Sequence, residues 1–325
     1  MDLNPTEDPE FASASATIGP DRAGLRMQEA LVGLFPERLP SRKSCRKALD
    51  RGDVQLNGHR TNTARRVKAG DVIALLLHAP AAIDPGPAAP QRLHMVRPDM
   101  ADYVVVWKPA GLATSGSGRL NLANVLRFKA KQGSAEERMA LAPSVKDAQA
   151  RPHPVHRLDR ATAGWVCVAL NLAAASSLGQ AFAQRQVTKR YLALVAGHAG
   201  AGENRLELDD KEAITRWSPI AQGPLAVHDT ATLLKVHIET GRTHQIRRHL
   251  AQAGHPIVGE DRYAPPGINP SEAPRFTGHG LFLSAVELVI PDGAHGTGIK
   301  ACGVAPRKFH RIRWATRALE DHGFS

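Results

Sequence analysis

Residues 79–97 constrain the fold more than any other stretch. Ala79 to Pro90 alone contains four prolines. Proline has no amide proton and a fixed φ, so neither a helix interior nor a central strand runs through such a segment. A semi-extended linker is expected there, with a short body before it and a long one after it. The expected organisation is a mobile tail over 1–22, a small domain over 23–78 and the linker over 79–97. A large domain over 98–317 and a short tail over 318–325 complete it. With 325 residues and 42% apolar residues, the chain has the composition of packed domains rather than of a disordered protein.

Charge is unevenly spread. The chain carries 42 Lys and Arg against 31 Asp and Glu, a net +11, and residues 25–78 hold 11 of those cations against 5 acids. About half of the net charge thus lies in one sixth of the chain, and its field favours a polyanionic partner. No membrane partner is expected, because even the best apolar stretch, Val72 to Leu77, is far below the roughly 18 residues that span a bilayer. Cys45, Cys167 and Cys302 are too few and too scattered for a disulfide framework or a zinc ribbon. Met1 to Glu10 is acidic and broken by proline, unlike a signal or transit peptide, so a soluble cytoplasmic protein is expected.

Within the small domain, Leu31, Leu34 and Phe35 follow a helical spacing that Pro36 ends. Ser41 is placed to cap a second helix, in which Cys45, Ala48 and Leu49 share one face while Arg42, Lys43, Arg46 and Lys47 lie elsewhere. Gly52 suits that helix's C-terminus. Val54 and Leu56 alternate with polar residues into Asn57-Gly58, a two-residue hairpin signal, and Val72–Leu77 reads as a strand after the Gly70-Asp71 turn. This order resembles the small RNA-binding domain first met in a ribosomal protein of the small subunit, the alpha-L motif. The resemblance implies phosphate contacts from Arg42, Lys43, Arg46, Lys47 and Arg51.

The large domain reads as α+β with a mainly antiparallel sheet flanked by helices. Its expected strands are Tyr103–Trp107, Trp165–Leu170, Tyr191–Ala196, Thr232–Ile238 and Leu281–Ile290, with helices over Ala173–Arg185 and His244–Ala253. Two stretches carry candidate chemistry: Pro154 to Trp165, with Asp159 between Arg157 and Arg160, and Thr240 to Leu250. An acid set among cations favours its ionised form, which serves as nucleophile or base, although an isolated Arg-Leu-Asp-Arg also suits an ordinary surface ion pair. In the second stretch Thr243 is placed to cap a helix whose first turn carries Arg247. His153, His156, His244 and His249 lack acids or cysteines at ligand spacing, so no metal is expected. Gly116-Ser117-Gly118 and Gly197 to Gly202 read as loops and not as a dinucleotide fingerprint.

Taken together these motifs resemble the RluA-like family of RNA pseudouridine synthases, which includes the RluC and RluD types. His156 to Gly164 is similar to the family's His-Arg-Leu-Asp-x-x-Thr-Ser-Gly, and Trp107 to Gly111 to its Asn-Lys-Pro-x-Gly. Lys189-Arg190-Tyr191 matches its Lys-x-Tyr strand, Gly241 to His249 its Gly-Arg-Thr-His-Gln-Ile-Arg-x-His, and His255 to Tyr263 follows in order. The resemblance implies isomerisation of uridine in structured RNA, large-subunit ribosomal RNA first and transfer RNA second. No cofactor is needed, no obligate protein partner is implied, and a monomer is expected.

It further implies Asp159 as nucleophile, Tyr191 as the aromatic that stacks on the flipped base and assists proton removal from ring carbon 5, and Arg247 as an ion-pair partner orienting Asp159. Arg157 would fill the gap left by the base, and His156, Leu158, Arg160, Lys108, Arg242 and His244 are the remaining expected RNA contacts. Attack on sugar, attack on the ring and elimination all stay open. The chain departs from the pattern at Ala163 (serine is usual), Trp107 (asparagine) and Ser284 (histidine). A methyltransferase and a non-catalytic ribosome-assembly factor are the competing readings.

Overall fold

The computed structural model describes residues 14–36, 39, 41–51, 53–75, 85–99, 101–116, 118–142, 152–225, 228–264, 280–293, 296–303 and 305–324. The chain divides into two compact units between Ala81 and Ala82.

The first unit contains α1 (Met27–Ala30) and α2 (Arg42–Arg51) with β1 (Ala14–Thr17), β2 (Val54–Leu56), β3 (His59–Arg60) and β4 (Val72–Leu75). The strands form an antiparallel sheet in the order β1-β4-β2-β3. Asn57 and Gly58 both have positive φ, 51° and 79°, the backbone that a two-residue hairpin of this twist requires. Ser41 Oγ accepts the Ser44 amide at 3.2 Å and so caps α2. Cys45, Ala48 and Leu49 are buried, whereas Arg42, Lys43, Arg46 and Lys47 are exposed. Arg51 closes the helix; its side chain, Gly52 and residues 76–77 lie outside the described residues.

Two expectations are corrected in this unit. Residues 14–22 are not tail: β1 completes the edge of β4, and Ile18 fills the core. A strand edge left unpaired would expose its amides and carbonyls, which β1 satisfies. The first helix is a single turn rather than a run to Phe35, because Gly33 takes φ +77° and breaks it, while Leu31 and Phe35 still reach the core.

The second unit begins with β5 (Met95–Val96) and β6 (Tyr103–Lys108), then α3 (Leu122–Gln132), α4 (Ala135–Ala140), β7 (His153–Pro154) and β8 (Ala163–Ala169). Next come α5 (Leu172–Ala183), β9 (Thr188–Ala196), β10 (Gly202–Glu207), β11 (Glu212–Leu225), β12 (His228–Ile238) and α6 (Gln245–Gln252). The chain ends with β13 (Leu283–Ile290), β14 (Ile299–Cys302), α7 (Arg307–His310) and α8 (Arg313–Asp321). The sheet order is β10-β11-β12-β9-β13-β8-β6-β5, with β14 on β13 and β7 on β8. Among the described strands only β8 and β13 pair in parallel, so the fold is α+β on a mainly antiparallel sheet.

Alternation along β6 and β8 sends side chains to two cores. Val104, Val106, Val166 and Val168 join the larger cluster with Leu122, Val125 and Leu126 of α3 and Ile246 and Leu250 of α6. Tyr103, Val105, Trp165 and Cys167 join a second cluster with Ala174, Leu178 and Ala181 of α5.

Two boundaries and two strands differ from expectation. β5 pairs with β6, so residues 95–96 belong to the sheet and not to a linker. Residues 318–324 are not tail, because Leu319 and Phe324 are buried in the larger core. β10 and the long β11 were not expected: β10 is exposed and mostly polar, and the apolar residues of β11 are broken up by Arg216, Ser218, Pro219, Gln222, Gly223 and Pro224.

Gly164 is where β8 meets β13. Its φ is +138°, and a Cβ there would lie 2.3 Å from the Ala285 carbonyl oxygen. Gly164→Ala therefore combines backbone strain with a backbone clash, and a loss of about 3 kcal/mol is expected in urea unfolding. An unchanged midpoint would contradict this account of the strand crossing.

Candidate active site

Asp159 lies on the loop between β7 and β8, and the loop is clamped from below. Thr114 Oγ1 donates to the Leu158 carbonyl at 3.0 Å and accepts the Leu158 amide at 3.1 Å. The Gly111 amide donates to the Arg160 carbonyl at 2.8 Å, and Arg160 Nε returns a bond to the Gly111 carbonyl at 2.9 Å. The partner turn, 109–114, is held by Lys108, whose Nζ donates to the carbonyls of Pro109 at 3.1 Å and Leu112 at 2.7 Å. Lys108 is fully buried. Burial pushes its ammonium down to about 8, with the Asp159 charge pulling the other way. Lys108 and the buried Leu158 thus position the loop and do not face solvent, contrary to their expected role as RNA contacts.

A cleft of about 530 Å3, counting its open mouth, lies above this loop. Asp159, Thr162, Tyr191, Arg157, Arg242 and Arg247 contribute to its walls. Among the described residues Asp159 is the one carboxylate lining it. The Thr162 hydroxyl is buried there with no hydrogen-bond partner among them. Tyr191, from β9, is buried, and burial followed by the nearby Asp159 charge raises its phenol, so it stays neutral.

Arg247 does not pair directly with Asp159. Its Nε and Nη2 donate to the two carboxylate oxygens of fully buried Glu260 at 2.7 and 2.6 Å, and Nη2 also reaches Asp261 at 2.8 Å. Burial opposes the Arg247 cation; Glu260 above all, then Asp159, restores it, and the net shift is upward. A forked carboxylate offers a guanidinium two parallel bonds, which the more distant Asp159 cannot match. Asp159 instead has His244 Nε2 at 3.7 Å from its Oδ1. His244 stands in the left-handed region (φ 53°), with Nδ1 2.8 Å from the Tyr263 hydroxyl. It is His244, not Thr243, that occupies the cap position of α6, and no side chain caps the amides there.

Buried Gln245 braces this loop. Its Oε1 accepts from Thr240 Oγ1 at 2.7 Å and the Arg242 amide at 3.0 Å, while Nε2 donates to the Ile214 carbonyl and Thr215 Oγ1. Arg242 Nε holds the Glu212 carbonyl at 3.1 Å. Arg157 is exposed and has no partner among the described residues. His156 does not line this cleft: its Nε2 accepts the Cys167 amide at 2.9 Å, its ring stacks on Phe182, and burial, then Lys189, pushes it down to about 3. A neutral, internally bonded imidazole is a brace rather than a phosphate contact. Sequence reading missed Gln245, Glu260, Tyr263 and Thr114 as site residues. The first three sit inside motifs it had singled out, but nothing local reveals which atoms they meet.

The buried Lys108 makes stability depend on pH. The unfolded chain keeps that proton to about 10.5 and the folded one releases it near 8, so between these values the unfolded state binds more protons and stability rises with pH. Wild type should gain about 2 kcal/mol over Lys108→Met between pH 8 and pH 10 in chemical unfolding. A constant difference would remove the buried ammonium from the account.

The RNA pseudouridylate synthase family pattern matches residues 102–252. An uncharacterized RNA pseudouridine synthase of Mycobacterium bovis is 31% identical over 96% of this chain and 100% of its own length. The ribosomal large subunit pseudouridine synthase D of Xanthomonas campestris is 29% identical over 96% of this chain and 95% of its own. Among solved structures, human RNA pseudouridylate synthase domain containing 1 superimposes with a TM-score of 0.50 at 26% identity, covering 67% of this chain and 85% of that one. No helix among the described residues is long and apolar enough to cross a membrane. The chain belongs to the RluA-like family of RNA pseudouridine synthases, isomerases that turn uridine into pseudouridine.

Proposed function

We propose that this chain isomerises uridine in large-subunit ribosomal RNA, with Asp159 as the nucleophile. The observation that carries this reading is the isolation of Asp159, a lone carboxylate in a cleft walled by Arg157, Arg242 and Arg247 and backed by Tyr191. The name of the Xanthomonas relative supports ribosomal RNA as the substrate. A uridine inside folded RNA must leave its stack to reach this cleft, at a cost of roughly a few kcal/mol. Arg157, exposed and uncommitted, takes the space the base vacates. Tyr191 underlies the extruded ring.

The bond from the ribose to ring nitrogen 1 breaks, the uracil turns, and the ribose rejoins at ring carbon 5. Carbon 5 loses its proton and nitrogen 1 gains one, so atoms balance with no redox change. The Asp159 carboxylate starts this sequence whether it attacks the sugar, attacks the ring, or promotes elimination at the sugar. The Tyr191 phenol is held neutral by burial, so its own proton must leave for it to accept the one from carbon 5. Arg247 acts on Asp159 through its charge and not through a direct bond.

The small unit is proposed as an RNA-binding domain, with Arg42, Lys43, Arg46 and Lys47 on phosphates and Arg51 at the helix end. One chain suffices for the reaction, and the proposed compartment is the cytoplasm.

Asp159→Asn should reduce tritium release from ring carbon 5 of labelled uridine to background while RNA affinity stays within about twofold, since an amide is no nucleophile. Release at the wild-type rate would overturn the assignment. Replacing Arg42, Lys43, Arg46 and Lys47 together by alanine should lower the slope of log affinity against log salt by about 3. An unchanged slope in filter binding would take α2 out of the RNA interface.

A further inference from the structure

A second cleft of about 920 Å3, counting its open mouth, adjoins the first and shares Arg157, Tyr191, Ile238, Gly241 and Arg242 with it. Its floor carries Lys189, nine-tenths buried, two residues before Tyr191 on the same side of β9. Two residues of strand separate them by about 6.6 Å. Lys189 Nζ has no hydrogen bond or ion pair among the described residues and lies over the face of Phe182, 5.9 Å from the ring centroid. Burial, and then the Arg185 charge, disfavour this ammonium, and no carboxylate among the described residues pairs with it to offset the cost.

The acids nearby are already committed. Arg185, Glu212, Arg205, Glu203, Arg216 and Glu239 close a ring of alternating charges. Three cations and three anions cancel, and the one acid of that ring lining the cleft, Glu239, is held by Arg216 and lies 3.7 Å from Arg185. Arg185 takes φ +61°, a conformation glycine would adopt at less cost, and this sets an arginine at the cleft wall. His156, neutral and stacked on Phe182 at 4.6 Å, supplies no counter-charge. The surplus charge of the cleft is therefore positive and belongs to Lys189, with Arg157 and Arg242 at the rim.

We infer that the second cleft is a phosphate subsite, in which Lys189 pairs with a non-bridging oxygen of the RNA phosphodiester next to the flipped uridine. This rests on the reading that RNA occupies the Asp159 cleft. The shared wall lets the chain pass from one cleft to the other, so that the base lies on Tyr191 while the adjoining backbone crosses Arg157 and Arg242 to Lys189. The cleft thereby sets the direction in which the strand runs through the site.

The test is equilibrium binding of the full chain and its Lys189→Met variant to large-subunit ribosomal RNA at graded potassium chloride, with thermal melting in parallel. Methionine removes the charge at similar volume, so melting should hold or rise. Affinity should fall about tenfold, and the salt slope should drop by about 0.7, the signature of one lost contact to a single-stranded phosphate. Should Lys189→Met not fold, Lys189→Gln reads the same slope. An unchanged slope in a folded variant overturns the proposal. So does protection of wild type, but not of the variant, by inorganic phosphate when the RNA slopes agree, which would make the cleft a free-anion site. Binding is read without turnover, so a protein that made no pseudouridine yet lost the slope would refute the proposed activity and leave the subsite standing.

Discussion

The paired hydrogen bonds between Arg247 and Glu260 set the electrostatics on which the site depends. Both groups are buried, and each is the other's main counter-charge. Breaking such a pair strands a charge in the interior, at about 3–5 kcal/mol, so the two chain segments that carry them are tied together. Glu260 also absorbs the bond that Arg247 could otherwise give to Asp159. Asp159 feels the Arg247 charge without a direct bond to it, the arrangement that its proposed role as nucleophile needs. An acid locked in a two-pronged pair with Arg247 would be a poor nucleophile, because its lone pairs would already be engaged.

Around that pair the polar groups divide into those that brace and those that face the clefts. Lys108, Gln245, His156 and Thr114 spend their hydrogen bonds on backbone and neighbouring side chains. Asp159, Thr162, Arg157 and Lys189 do not, and these four line the two clefts. Among these four the Thr162 hydroxyl is fully buried without a partner among the described residues, and the other three keep side-chain polar atoms toward the clefts they line.

The three departures from the family pattern lie behind the site. Ser284 pairs with Ala163 across the parallel strands and its hydroxyl donates to the Ala163 carbonyl at 3.2 Å, so two of them meet each other. The crossing at Gly164 and Ala285 leaves little room there, which suits a small pair. Trp107 packs edge-on against Trp165, 5.2 Å between centroids, in the core beneath α5. None of the three lines the Asp159 cleft.

Much of this was legible in one dimension. The proline break separated two units, Asn57-Gly58 marked a hairpin, and the motifs around Asp159, Tyr191 and Arg247 pointed to residues that line one cleft, because turn chemistry and short motifs are local properties of a chain. Strand ends moved by a few residues, and β1 and β10 were not expected, since an edge strand is stabilised by its neighbour's backbone rather than by its own side chains. The roles that changed, Lys108 and Leu158 turned inward and Arg247 claimed by Glu260, all concern partners distant in sequence or set by how a loop packs. Which residues carry charge is written along the chain; which charges are cancelled depends on distances that exist only once the sheet has brought the segments together, because Coulomb and hydrogen-bond energies are settled within a few ångströms.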